Sequence, residues 1–162
     1  MTRALVLIDL MPRIIANPLA PHSGEDVLVR CRDLAAALRA EGSPVVLVRV
    51  ERPGVDEQPP GSDLAEGLEQ DGDVVVVKRT IGAFHNTGLD EKLRAAGVTT
   101  IVLAGLVTTM GVASTAWAAC DLGYELEFVA DAMSAPTLEE HEVAIGTVFP
   151  RIGEVRLTKD YL

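Results

Sequence analysis

Six short apolar runs punctuate the chain, at Ala4 to Ile8, Pro44 to Val50, Val74 to Val77, Thr100 to Ala104, Leu126 to Val129 and Val155 to Leu157. They are rich in β-branched residues and mostly uninterrupted rather than alternating, the pattern of strands covered on both faces. Between most of them the apolar positions switch to helical spacing. Glu25 to Glu41 carries Val27, Leu28, Cys31, Leu34, Ala35 and Leu38 at helical spacing and closes at Gly42, a suitable C-terminal stop. Leu89 to Ala96 ends likewise at Gly97, and the Ala-rich stretch Thr108 to Leu122 ends at Gly123. A last helix follows Asp131, with Thr137 and Glu140 at capping-box spacing.

Strands alternating with helices of this size predict right-handed βαβ units. The expected fold is α/β: one three-layer αβα, Rossmann-like doubly wound domain spanning residues 1–162, with a six-stranded, mainly parallel sheet in the order 3-2-1-4-5-6. Glu51 to Gln70, ERPGVDEQPPGSDLAEGLEQ, breaks the rhythm with its prolines and glycines and predicts a long loop with at most a short helix.

Composition narrows this picture. A length of 162 residues suits a single core, and with 48% hydrophobic but only 4% aromatic residues that core must be built from Val, Leu, Ile and Ala. A net charge of −10 excludes a protein that tracks a nucleic-acid backbone, which needs a concentrated basic surface. The N-terminal run is interrupted by Asp9 and lacks a secretory cleavage site. No stretch approaches the roughly 18 apolar residues of a membrane span, so no membrane association and a cytoplasmic location are expected. Cys31 and Cys120 fall inside helices without a CxxC or Cys/His pattern, which favours small buried hydrophobes over a redox or catalytic pair. His22, His85 and His141 are scattered without ligand spacing, so neither a metal nor another cofactor is expected.

In a doubly wound sheet, ligands bind beyond the carboxyl ends of the strands, where strand order reverses. Asp9 ends the first strand, Arg49 and Glu51 bracket the end of the second, Lys78 ends the third, and Asp131 ends the fifth. Asp9 and Lys78 each terminate a strongly apolar run, where a charge is costly unless paired. Together they read as one partly buried ion pair, structural or catalytic. The segment GLVTTMGVASTA, Gly105 to Ala116, passes from a strand into a helix N-terminus. Such a turn either presents backbone N–H groups to an anion or is an ordinary connection. Arg49, Arg52, Lys78 and Arg79 gather at the expected mouth, which suits a carboxylate-bearing small molecule, or else forms a solvated basic rim.

The motifs IDL at Ile8 to Leu10, VVVVKRTIGAF at Val74 to Phe84, GLVTTMGVASTA, and GYELEFVADA followed by EEHE near His141 resemble, in order and spacing, the signatures of the isochorismatase-like, or cysteine hydrolase, family. The resemblance implies hydrolase activity, with an aspartate after strand 1, a lysine after strand 3 and a cysteine at the start of the helix after strand 4. Asp9 and Lys78 match the first two, but the third position is Gly111, and Cys120 lies nine residues further along the helix. A thiolate mechanism through an acyl-enzyme is therefore closed. Glycine at this position resembles the isochorismatases proper, which implies noncovalent vinyl ether hydrolysis releasing pyruvate, with Asp9 as general acid and Lys78 as its partner.

The same resemblance implies a turn at Val107, Thr108 and Gly111 with backbone or oxyanion roles, and a cis peptide between Leu106 and Val107. Arg49, Arg52 and Phe84 are the expected substrate contacts, with His85 beside Phe84 at the surface. Met11 stands where the family often has glutamine, and Arg52 where isochorismatases carry a substrate-contacting glutamine. At about 4 Å and an effective dielectric of about 20, Lys78 would favour ionised Asp9 by roughly 4 kcal/mol, so acid catalysis requires desolvation to raise its pKa. Two rivals stand beside this reading. One is a noncatalytic family member that binds a small molecule or partner in the pocket. The other is a hydrolase using Thr108, Thr109 or Ser114 as nucleophile. A small-molecule substrate and a homo-oligomeric state, dimer or higher, complete the expectations.

Overall fold

The computed structural model describes residues 2–162. In chain order the elements are β1 (Thr2–Ile8), α1 (Pro12–Ile15), α2 (Gly24–Ala40), β2 (Val45–Val50), β3 (Val74–Lys78), α3 (Leu89–Ala95), β4 (Val98–Leu106), α4 (Ala113–Asp121), β5 (Glu125–Ser134), α5 (Leu138–Val143) and β6 (Glu154–Arg156). The six strands form one sheet in the expected order 3-2-1-4-5-6, and every strand pairing is parallel.

Two cores flank the sheet because successive side chains of each strand point to opposite faces. Ala4, Val6 and Ile8 of β1 face a core closed by α3, α4 and the α5 region, including Leu93, Ala116 and Phe149. Leu5 and Leu7 face the other, closed by α2 through Val27, Cys31, Leu34 and Leu38. Strands buried on both sides explain the continuous apolar runs.

Helix boundaries follow local chemistry. The Ser23 side chain accepts the Asp26 N–H to start α2, and Thr137 and Glu140 form the expected reciprocal capping box on α5. Glu51 to Gln70 contains no helix. It is nonetheless tied down, since Ala65 and Leu68 are buried in the α2-side core, and the Ala65 N–H donates to Leu10 O at 2.8 Å.

Three expectations change. The stretch from Thr108 is not one continuous α-helix: residues Thr108–Val112 form a wider π-type turn before α4 begins. Short α1, with Pro12 at its first position, was not evident in the sequence pattern. Asp131 does not end β5, which continues to Ser134 after a register shift opposite Leu103 to Gly105. Asp131 is turned toward the C-terminal segment, where Oδ1 accepts from the Thr158 N–H and hydroxyl.

No helix among the described residues is long and apolar enough to cross a membrane.

Candidate active site

The order of strands reverses between β1 and β4, and at that point the backbones approach unusually closely. Gly105 makes this possible: its φ is +113°, and a Cβ there would collide with the backbone oxygen of Ile8. Directly beyond, the chain leaves β1 at Asp9 with φ +50°, in the left-handed region that Asp tolerates better than most residues. Its N–H donates to Val48 O at 2.9 Å and its carbonyl accepts from Met11 N–H at 2.8 Å, so neighbouring backbone holds the turn. Met11 is fully buried, and its sulfur accepts the Val50 N–H at 3.4 Å.

Lys78, at the end of β3, reaches across β2 to this position. Its Nζ lies 2.9 Å from Asp9 Oδ2 and donates to Ile81 O at 2.6 Å. Both residues are buried, Lys78 at 2% and Asp9 at 6% exposure. Asp9 Oδ1 is buried without a hydrogen-bond partner among the described residues. The carboxyl is therefore half satisfied, and burial raises its pKa above the usual carboxylate value despite the opposing charge and hydrogen bond of Lys78 and the charge of Arg13. Desolvation thus works against the lysine and shifts Asp9 toward its protonated form.

Gly111 completes the constellation. A Cβ built on it would stand 3.3 Å from Asp9 Oδ2, 3.3 Å from Leu106 O and 2.8 Å from Ile8 Cγ2. A side chain at this position would point at the Asp9 carboxyl, but the Ile8 methyl already occupies part of its space. The Leu106–Val107 peptide is cis, as the resemblance implies. Val107 O accepts the N–H groups of both Met110 and Val112 at 3.2 Å, so those two donors are spent inside the turn.

Asp9, Lys78, Val107 and Gly111 line one pocket of about 660 Å³, whose wall also includes Arg52 and Arg79. Much of the rest is apolar, from Ile14, Leu19, Val50, Ile81, Leu106 and Met110. Three cations, Arg52, Lys78 and Arg79, oppose two carboxylates, Asp9 and Glu51. Arg79 is held by Glu51 Oε1 at 2.9 Å, leaving the Arg52 guanidinium without an ion pair among the described residues. The Arg52 backbone is clamped by Gln58, whose amide accepts its N–H at 2.8 Å and donates to its carbonyl at 3.0 Å.

Other expected contacts stand elsewhere. Arg49 lies outside this pocket, because alternation along β2 sends Val50 into it and Arg49 to the opposite face, beside Leu64 and Glu66. It pairs with Glu51 Oε2 at 2.9 Å. Phe84 turns away to stack on Tyr124, with ring centroids 6.0 Å apart, and Ile81 takes the pocket wall instead. His85 is exposed.

Thr108 is fully buried and points behind the turn, where Oγ1 lies 2.8 Å from His141 Nδ1. The pair joins α5 to the Gly111 turn across 33 residues of sequence, a contact no local pattern signals. Burial, and then the charge of His22, lowers the His141 pKa. Thr108 thus has a base beside it, but neither residue lines the pocket, which removes it as a nucleophile for a ligand there. Thr109 and Ser114 also lie outside it.

A doubly wound sheet with a buried acid, its lysine and a tight turn gathered at the switch point marks an α/β domain with a small-molecule site at the carboxyl ends of its strands. Residues 3–160 match the isochorismatase domain, and the chain belongs to this family of hydrolases. It is 40% identical to the isochorismatase family protein YwoC of Bacillus subtilis, over 98% of this chain and 92% of that one. Among solved structures it resembles an isochorismatase family protein from Burkholderia thailandensis, with 36% identity, a TM-score of 0.87, and coverage of 98% of this chain and 93% of the other. It also resembles the N-carbamoylsarcosine amidase of Thermoplasma acidophilum, with 27% identity, a TM-score of 0.86, and coverage of 98% and 97%.

Proposed function

We propose that this chain hydrolyses a small carboxylate-bearing metabolite by noncovalent acid–base chemistry, with a vinyl ether as the bond cleaved and pyruvate as one product. The observation that carries this reading is Gly111: where a cysteine would meet Asp9 there is no side chain, and the position faces a buried carboxyl whose pKa is raised. No thiol can attack from that position, while a neutral carboxyl is suited to give up a proton.

The proposed sequence begins with the substrate carboxylate on Arg52 and its apolar body against Ile14, Leu19 and Met110. Asp9 protonates the terminal carbon of the vinyl ether, creating an oxocarbenium centre at the ether-bearing carbon. Water adds there and returns a proton to Asp9. The resulting hemiketal passes its hydroxyl proton to the ether oxygen as that carbon–oxygen bond breaks, giving an alcohol and pyruvate. Lys78 keeps the carboxyl oriented and stabilises its anionic form between the two proton transfers.

Asp9→Asn provides the test, in a panel of small carboxylates bearing vinyl ether, amide or ester groups. Pyruvate release from a vinyl ether, lost in Asp9→Asn, supports the proposal. Binding across the panel with no turnover would instead make this a small-molecule-binding member of the family.

A further inference from the structure

Register across the sheet decides which charges meet at the pocket rim. Val50 of β2 pairs with Lys78 of β3, so the next residues of the two strands, Glu51 and Arg79, leave the sheet side by side. The Glu51 N–H donates to Lys78 O at 2.9 Å and fixes the backbone there. Its carboxylate is then gripped on both oxygens. Oε1 accepts from Arg79 Nη2 at 2.9 Å, and Oε2 accepts from Arg49 Nη1 at 2.9 Å. The Glu51 side chain is 21% exposed and that of Arg79 61%, so the acid is the fixed member of the pair and the arginine has room to turn.

Glu51 and Arg79 both line the pocket, and their pairing sets how much positive charge a ligand meets there. Lys78 is committed to Asp9 Oδ2 and Ile81 O, and Arg79 is committed to Glu51. Among the described residues this leaves Arg52 as the lining cation outside an ion pair. The neutral polar side chains on the wall are Asn17 and Thr80, and Thr80 gives its hydroxyl to Gly82 O at 3.2 Å. A second carboxylate on the ligand would therefore meet a largely apolar wall with no unspent cation. A charge desolvated without a partner is strongly disfavoured.

We infer that Glu51 is the specificity residue of this site: by holding Arg79 it restricts the pocket to substrates with one carboxylate and an otherwise uncharged body. The inference rests on the reading of Arg52 as the carboxylate anchor. Selection here works by rejection, since Glu51 withholds a guanidinium that a dicarboxylate needs. Removing the charge of Glu51 releases Arg79 and creates a place for the second carboxylate.

Titration calorimetry with two unreactive acids, benzoate and isophthalate, tests this without calling on turnover. Wild-type protein should bind the monoacid about tenfold or more tighter than the diacid, the scale of one missing charge-assisted contact. Glu51→Gln should tighten the diacid about tenfold or more and the monoacid less than about threefold. Adding Arg79→Ala to Glu51→Gln should cancel the gain for the diacid. Arg52 is untouched in both variants, so the monoacid titration also reports that each is folded. A wild-type protein that binds the diacid as tightly as the monoacid would overturn the inference. So would equal gains for both acids in Glu51→Gln, or a gain that persists without Arg79. Binding of neither acid by wild type would overturn it together with Arg52 as anchor. The expected binding pattern without any pyruvate release from vinyl ethers would uphold it and count against the proposed chemistry alone.

Discussion

Lys78 Nζ stands 2.9 Å from Asp9 Oδ2, although the two residues are separated by a whole strand of the sheet, and neither is more than 6% exposed. A buried pair of this kind costs several kcal/mol to desolvate and regains it only while both partners are present. Lys78→Met should therefore destabilise the fold by about 3–5 kcal/mol at pH 8, because it leaves a buried unpaired carboxylate. The loss should shrink toward pH 5, where Asp9 can take up a proton. Urea unfolding at both pH values measures this, and an equal loss at both would mean that Asp9 is not the group left exposed to the penalty.

Burial, opposed by Lys78, raises the Asp9 pKa above its ordinary value of 3.8. A raised carboxyl pKa means the folded state holds the proton longer than the unfolded chain. The stability it contributes is fully present below the unfolded value and is lost as pH rises through the folded one. Turnover should follow the same group, falling at high pH as the acid form disappears. A kcat/KM profile flat across that limb would remove Asp9 as the acid.

His141 and His22 titrate in the opposite sense. Burial lowers both pKa values below 6.5, reinforced at His141 by His22 and at His22 by Arg30. The unfolded chain then binds protons first on acidification, so stability present at pH 7 should decline as pH falls from about 6.5. His141→Gln should flatten part of that decline. An unchanged slope in the variant would place the protons elsewhere.

At Gly111 the sequence and the geometry meet. A Cβ there would lie 3.3 Å from Asp9 Oδ2 but 2.8 Å from Ile8 Cγ2. Gly111→Cys should cost about 1–3 kcal/mol, the usual range for overpacking a core, and should place a thiol beside the Asp9 carboxyl. Its labelling by an electrophile should be faster than that of Cys31, which is fully buried with its thiol pKa pushed upward. Labelling should slow in the Asp9→Asn background. An inert thiol, or one indifferent to Asp9, would contradict the proposed geometry.

Arg52 and Arg49 offer a contrast within one short segment. Arg52 lines the pocket with no ion pair among the described residues, whereas Arg49 faces the other side of β2. Arg52→Ala should raise KM for a carboxylate substrate about tenfold or more, in line with a lost charge-assisted hydrogen bond. Arg49→Ala should change it by less than about threefold, as for a peripheral charge. Equal effects would remove Arg52 as the substrate carboxylate's partner.

The contrast also shows what the chain reveals before folding. Asp9 and Lys78 stand out because a charge that ends an uninterrupted apolar strand must find a partner, and the parallel sheet follows from the alternation of strands and helices. Arg49 and Phe84 were misplaced because sequence proximity to the mouth does not say which face a side chain takes at a strand end or in the loop beyond it. The Thr108 and His141 pair, and the pocket wall from Asn17 to Leu19, arise where distant segments meet. No local spacing encodes them.

Asp9 as a carbon-protonating acid is tested most directly by running vinyl ether hydrolysis in D2O and following the pyruvate methyl group by NMR. Wild-type enzyme should release pyruvate carrying one deuterium in its methyl group, and Asp9→Asn should release none above background. Substrate bound but unchanged, or pyruvate formed equally well by Asp9→Asn, would contradict the proposed chemistry.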